Sequence, residues 1–104
     1  MALGLLALCS ACTPVSESLA AIKSAFPASQ YAKAVQVATC ESGLNASAVS
    51  PGGGNFGLFQ INKVHEPQLK KMGYSWSEIT NPVVNARLAR VIYNTSGWSA
   101  WSCG

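Results

Sequence analysis

Residues 40–62 decide the reading: Cys40-Glu41-Ser42-Gly43-Leu44-Asn45, then Ala46-Ser47-Ala48-Val49-Ser50-Pro51-Gly52-Gly53-Gly54, then Asn55-Phe56-Gly57-Leu58-Phe59-Gln60-Ile61-Asn62. The first three close an apolar helical stretch, and Gly43 is a natural helix stop. Residues 44–62 are turn chemistry, with four Gly, one Pro and several Ser and Asn around a compact apolar patch. A small hairpin is expected around Pro51–Gly54. These glycines do not cradle a phosphate, because no Lys-Ser/Thr pair comes after them in P-loop spacing.

Helical patterns flank this segment. Upstream, Ser16 to Ala25 reads as a short helix with Ser16 as its cap and Leu19, Ile22 and Phe26 on one face. Pro27 breaks it. A second helix runs from Ser29 to about Glu41, with Tyr31, Ala34, Val35 and Ala38 at helical spacing. Downstream, Val64 to Met72 reads as a short helix with Pro67 in its first turn. Asn81-Pro82 is a stronger start, cap then proline, and Val84, Leu88, Val91 and Ile92 form an apolar stripe to about Asn94. The expected architecture is mainly α, three or four helices around one Gly-rich loop or hairpin lobe, with a cleft between them.

The 104 residues fit one domain, and 49% apolar content is enough for a core. Only 11% are charged, against disorder or a coiled coil. The net charge of +3 comes from scattered residues, with Lys70-Lys71 the one adjacent pair. A nucleic-acid protein usually shows a basic stripe, so no nucleic-acid partner is expected. No run reaches the length of a membrane span. Residues 1–12 read as the apolar part of a secretory or lipoprotein signal, or else as an apolar first helix. The domain proper is residues 13–104. If residues 1–12 are removed and Cys12 is lipidated or lost, Cys40 and Cys103 remain. They form a disulfide or stay as two buried thiols. With one His and no Cys-x-x-Cys near it, no metal or other cofactor is expected.

Glu41 is the first candidate for chemistry. A carboxyl buried beside aromatics at a cleft would disfavour its charged form, which suits a general acid. From position alone, an exposed glutamate at a helix end is the first reading. The neighbouring residues change it. Glu41-Ser42-Gly43 followed by Gly57-Leu58-Phe59-Gln60 resembles the signature of the lysozyme superfamily, most closely its bacterial and phage branch of soluble lytic transglycosylase type. Trp98-Ser99-Ala100-Trp101 resembles a pattern of animal-type lysozymes. The resemblance covers roughly residues 17–103.

The resemblance implies an enzyme that cleaves the β-1,4 glycan bond of peptidoglycan, with Glu41 as catalytic acid. It implies that Trp98 packs against that acid and favours its protonated form, the effect known from lysozyme itself. Gln60 and Asn62 match cleft residues that bind the N-acetyl sugar. Cys40 and Cys103 stand where the family pairs its cysteines. Tyr93 ends a stretch from Asn85 that resembles a late-helix motif whose tyrosine lies near the acid. Tyr93 is thus a candidate cleft residue, and Asn85 is read as structural. The net charge suits an anionic polymer such as a bacterial wall. A monomer is expected, secreted, in the cell envelope or periplasm, or on a phage virion.

One position departs from the animal-type pattern. Asn55 stands where a second carboxylate is found, and the chain has no Asp at all. A retaining glycosidase needs two carboxyl groups about 5 Å apart, and Asn cannot serve as the nucleophile. Glu66 and His65 come within a few residues and read better as a helix start and a solvated cap. The expected route is therefore a single-glutamate one, with Asn55 orienting the acetyl group or a water. A non-catalytic wall-binding module of the same fold is the alternative.

Overall fold

The computed structural model describes residues 13–104. The expected signal segment, with Cys9 and Cys12, lies outside these residues. Helix α1, Pro14–Ala25, is started by Thr13. The Thr13 hydroxyl accepts from the Ser16 amide at 3.0 Å, and the Ser16 hydroxyl accepts from the Thr13 amide at 2.8 Å. This reciprocal box corrects the expectation that Ser16 is the cap. Pro14 adds a residue preset for the first turn, so the helix begins two residues earlier. Pro27 then forces Phe26 into extended backbone and ends α1.

Helix α2, Ala28–Ser42, buries Ala34, Val37 and Ala38. It stops where Gly43 turns left-handed at φ 66° and returns its amide to Thr39 at 2.8 Å. The Ser18 hydroxyl of α1 donates to the carbonyl of Leu44 at 2.9 Å, which ties α1 to the end of α2.

The lobe comes next. Ser50 to Gly53 form a turn, closed by an isolated bridge between Val49 and Phe56. The two-residue strands β1, Asn55–Phe56, and β2, Ile61–Asn62, pair antiparallel with Asn55 opposite Asn62. The turn expected at Pro51–Gly54 is present. The paired strands, however, lie one step later, around the 57–60 loop. The expected helix from Val64 to Met72 is split into a 3-10 turn at Lys63–His65 and helix α3, Glu66–Lys71. Pro67 has no amide to donate and sits in the first turn of α3, so the helical ladder starts there.

Helix α4, Pro82–Ser96, is capped by Asn81, whose Oδ1 accepts from the amides of Val83 (2.9 Å) and Val84 (3.3 Å). It packs chiefly on α1 and buries Val84, Ala86, Leu88, Ala89 and Ile92. Phe59, Leu58, Ile22 and Leu69 complete the fully buried centre.

Asn85 of α4 is also fully buried, and it binds the lobe to the helices. Its Nδ2 donates to the carbonyls of Ile79 (2.8 Å) and Phe56 (3.1 Å), and its Oδ1 accepts from the Phe59 amide at 2.8 Å. Gly57 lies against this amide at φ 78°, and a Cβ there would strike Asn85 Nδ2 and the Ile79 carbonyl. Gly57→Ala should therefore destabilise the domain by about 2–4 kcal/mol, from overpacking and left-handed strain together. Chemical denaturation would measure it, and a loss near zero would show that the lobe yields.

A disulfide joins Cys40, at the end of α2, to Cys103, sixty-three positions later. Closing a loop of that length stabilises by about 4 kcal/mol in the chain-entropy model. The Cys40→Ser/Cys103→Ser double variant should lose stability of that order in urea unfolding.

Candidate active site

A cleft of about 180 Å³ opens between the helices and the lobe. From the helical side come Glu41 near the end of α2, Ile92 of α4, and Ala100, Trp101 and Ser102 from the C-terminal segment. From the lobe side come Asn55, Gln60, Ile61, Asn62 and His65.

Glu41 is half-buried. Its Oε2 accepts from the Cys103 amide at 3.4 Å and from the Ser102 hydroxyl at 3.5 Å. The disulfide next to Glu41 keeps that donor segment in place. On the lobe side the register brings Asn55 and Asn62 side by side, and Asn62 Nδ2 donates to Asn55 Oδ1 at 3.3 Å. Asn62 also caps the 3-10 turn by accepting from the Val64 amide at 3.0 Å. Both functional atoms of Asn62 are thus engaged, while Asn55 Nδ2 remains for a ligand. Gln60 has the unusual φ of 48° for a residue other than glycine. Its Nε2 donates to the carbonyls of Gly57 (3.0 Å) and Ala48 (3.1 Å), which holds the loop and leaves Oε1 as an acceptor.

The lining is amide-rich with one carboxylate, a set that hydrogen-bonds uncharged polar groups such as sugar hydroxyls and acetamides. Glu66 does not line the cleft. Its carboxylate pairs with Lys70 one helical turn on, at 3.6 Å. Among the described residues, no group of three or more His, Cys, Asp or Glu side chains could hold a metal ion.

Residues 18–103 match a family model described as the lysozyme-like domain. The chain belongs to that family. No curated protein and no solved structure matched it. The mainly helical architecture with its small lobe agrees with a lysozyme-like fold. Membership points to a glycosidase-type enzyme and to peptidoglycan. No described helix is long and apolar enough to cross a membrane.

Within this lysozyme-like domain, Glu41, Asn55, Gln60 and Asn62 share the cleft, whereas Tyr93 and Trp98 do not line it. Trp98 is turned toward α2, where its Nε1 donates to Gln30 Oε1 at 2.8 Å. It stacks on Phe26 (5.3 Å) and meets Tyr93 at 4.7 Å. Both rings therefore belong to the aromatic packing behind the site. The ring on the cleft wall is Trp101, buried and fixed by a 2.9 Å bond from its Nε1 to the Phe59 carbonyl. The sequence pattern Trp98-Ser99-Ala100-Trp101 assigned a cleft role to Trp98 and none to Trp101. It also missed Ser102, whose only sequence cue is its place beside Cys103; His65, read as a solvated cap, does hold the N-cap position of α3, without a side-chain bond there, and it lines the cleft as well.

Proposed function

We propose that this domain cleaves the β-1,4 bond between N-acetylmuramic acid and N-acetylglucosamine in peptidoglycan, as a lytic transglycosylase whose single acid and base is Glu41. The observation that carries this reading is the composition of the cleft: one carboxylate, with Asn55 on the lobe side where a two-carboxylate enzyme needs its second.

That set of groups dictates the chemistry. Protonated Glu41 gives its proton to the bridging oxygen as the bond from C1 of the muramic sugar breaks. The substrate's own acetamide oxygen shares the positive charge at C1, a substrate-assisted course that needs no protein nucleophile. Asn55 Nδ2 and Gln60 Oε1 are the groups free to orient that acetamide. Glu41, now a carboxylate, takes the proton of the C6 hydroxyl while O6 bonds to C1. The products are a 1,6-anhydro-muramic end and a free C4 hydroxyl on the neighbouring sugar, and Glu41 is protonated again. Water in the place of the C6 hydroxyl gives a reducing end instead.

Incubation of the protein with purified, insoluble peptidoglycan tests this reading. Soluble glycan fragments are expected. Sedimentation of intact protein with the wall and no fragment release would replace the enzyme with a binding module.

A further inference from the structure

His65 has no part in anhydro-end formation, yet it is the one ionisable group besides Glu41 on the cleft lining. It is half-buried, the last residue of the 3-10 turn that Asn62 caps. Among the described residues its imidazole has no hydrogen bond or ion pair, and the adjacent Glu66 is taken up by Lys70. An imidazole has two ring nitrogens, one of which can accept a proton while the other donates. It stands on the lobe side with Asn55, while the acid comes from the helical side.

We infer that His65 is a catalytic residue of a hydrolytic branch of this reaction, the base that activates water on the lobe side of the substrate. The inference rests on the reading of the cleft as a glycan-cleaving site. A neutral ring nitrogen of His65 takes one proton from water. The water oxygen bonds to C1, the C1–oxygen bond to the leaving sugar breaks, and that oxygen takes the proton of Glu41. The imidazolium then returns its proton to solvent, and Glu41 regains one. Attack from the side opposite the leaving oxygen inverts C1, whereas the anhydro branch retains its configuration. The anhydro branch uses Glu41 alone; the hydrolytic branch uses both residues.

The test is the ratio of reducing to 1,6-anhydro muramic ends in a single digest of purified peptidoglycan, read by mass spectrometry. A ratio within one digest does not depend on how much of a variant is folded. Wild-type protein should yield both ends, with the fresh reducing ends in the α configuration by NMR. His65→Ala and His65→Gln should each lower the ratio at least about tenfold, the modest end of what a general base supplies. Gln keeps a hydrogen-bonding group but cannot take the proton, so its failure to rescue separates a base from a polar contact. An unchanged ratio in both variants, or a wild-type digest with anhydro ends only, overturns the role of His65 and leaves Glu41 as the sole catalyst. No release by wild-type protein overturns both readings together.

Discussion

Glu41→Gln should lower fragment release from purified peptidoglycan by at least about a thousandfold, because no other carboxylate on the cleft lining can supply the proton. The same variant should melt within about 4 °C of wild type, a shift worth less than roughly 1 kcal/mol for a domain of this size. Glu41 is only half-buried, and its two hydrogen bonds are long. Gln keeps the shape and can still accept from the Cys103 amide. A large loss of activity with little loss of stability is the mark of a residue kept for chemistry. A variant that retains a tenth of wild-type release would show that another group protonates the leaving oxygen.

The second large effect concerns stability. Asn85→Ala should destabilise the domain by about 3–6 kcal/mol, since it strands two carbonyls and one amide, each costing about 1–3 kcal/mol when buried without a partner. Against a typical total of about 5–15 kcal/mol, that leaves a substantial unfolded fraction at body temperature. Asn85→Asp should be no better. The carboxylate keeps the bond from the Phe59 amide but faces the carbonyls of Ile79 and Phe56 with nothing to donate. Urea unfolding of both variants measures this, and a loss below about 1 kcal/mol would mean that water replaces the amide without strain. Because Asn85 holds the carbonyl of Phe56 and the amide of Phe59, it also sets the 57–60 loop that places Gln60 in the cleft.

Those two residues also show what a sequence can and cannot convey. The structural role of Asn85 was read from the resemblance of residues 85–93 to a family motif, whereas the stop at Gly43 was legible because a helix end leaves a local mark. The start at Asn81-Pro82 was legible for the same reason. The start of α1 was misplaced because Ser16 and Thr13 are both good caps, and only their reciprocal bonds decide between them. The ring that faces the cleft was beyond local reading. Trp98 and Trp101 sit on one short turn, and which of them turns outward depends on partners far along the chain, Gln30 for one and Phe59 for the other. His65 illustrates the same limit. A residue that ends a 3-10 turn and precedes a helix looks like a cap in sequence, and it does hold the cap position of α3; that it also lines the cleft shows only in the folded chain, where its turn follows directly on β2.

The lobe carries the departure that shapes the account. In the observed register Asn55 lies beside Asn62 and accepts its amide hydrogen, so the pair presents donors to the cleft and no carboxylate. A proton relay between two carboxyl groups has no place to occur there. The disulfide and the C-terminal donors instead concentrate the geometry on Glu41.

The most direct test of that account is the mass of the glycan ends that wild-type protein releases from purified peptidoglycan. An anhydro end is lighter than a reducing end by one water. Wild-type protein should release 1,6-anhydro-muramic ends, and Glu41→Gln none of either kind. Reducing ends alone would contradict that account, because water and not the sugar's own C6 hydroxyl would then be the acceptor at C1.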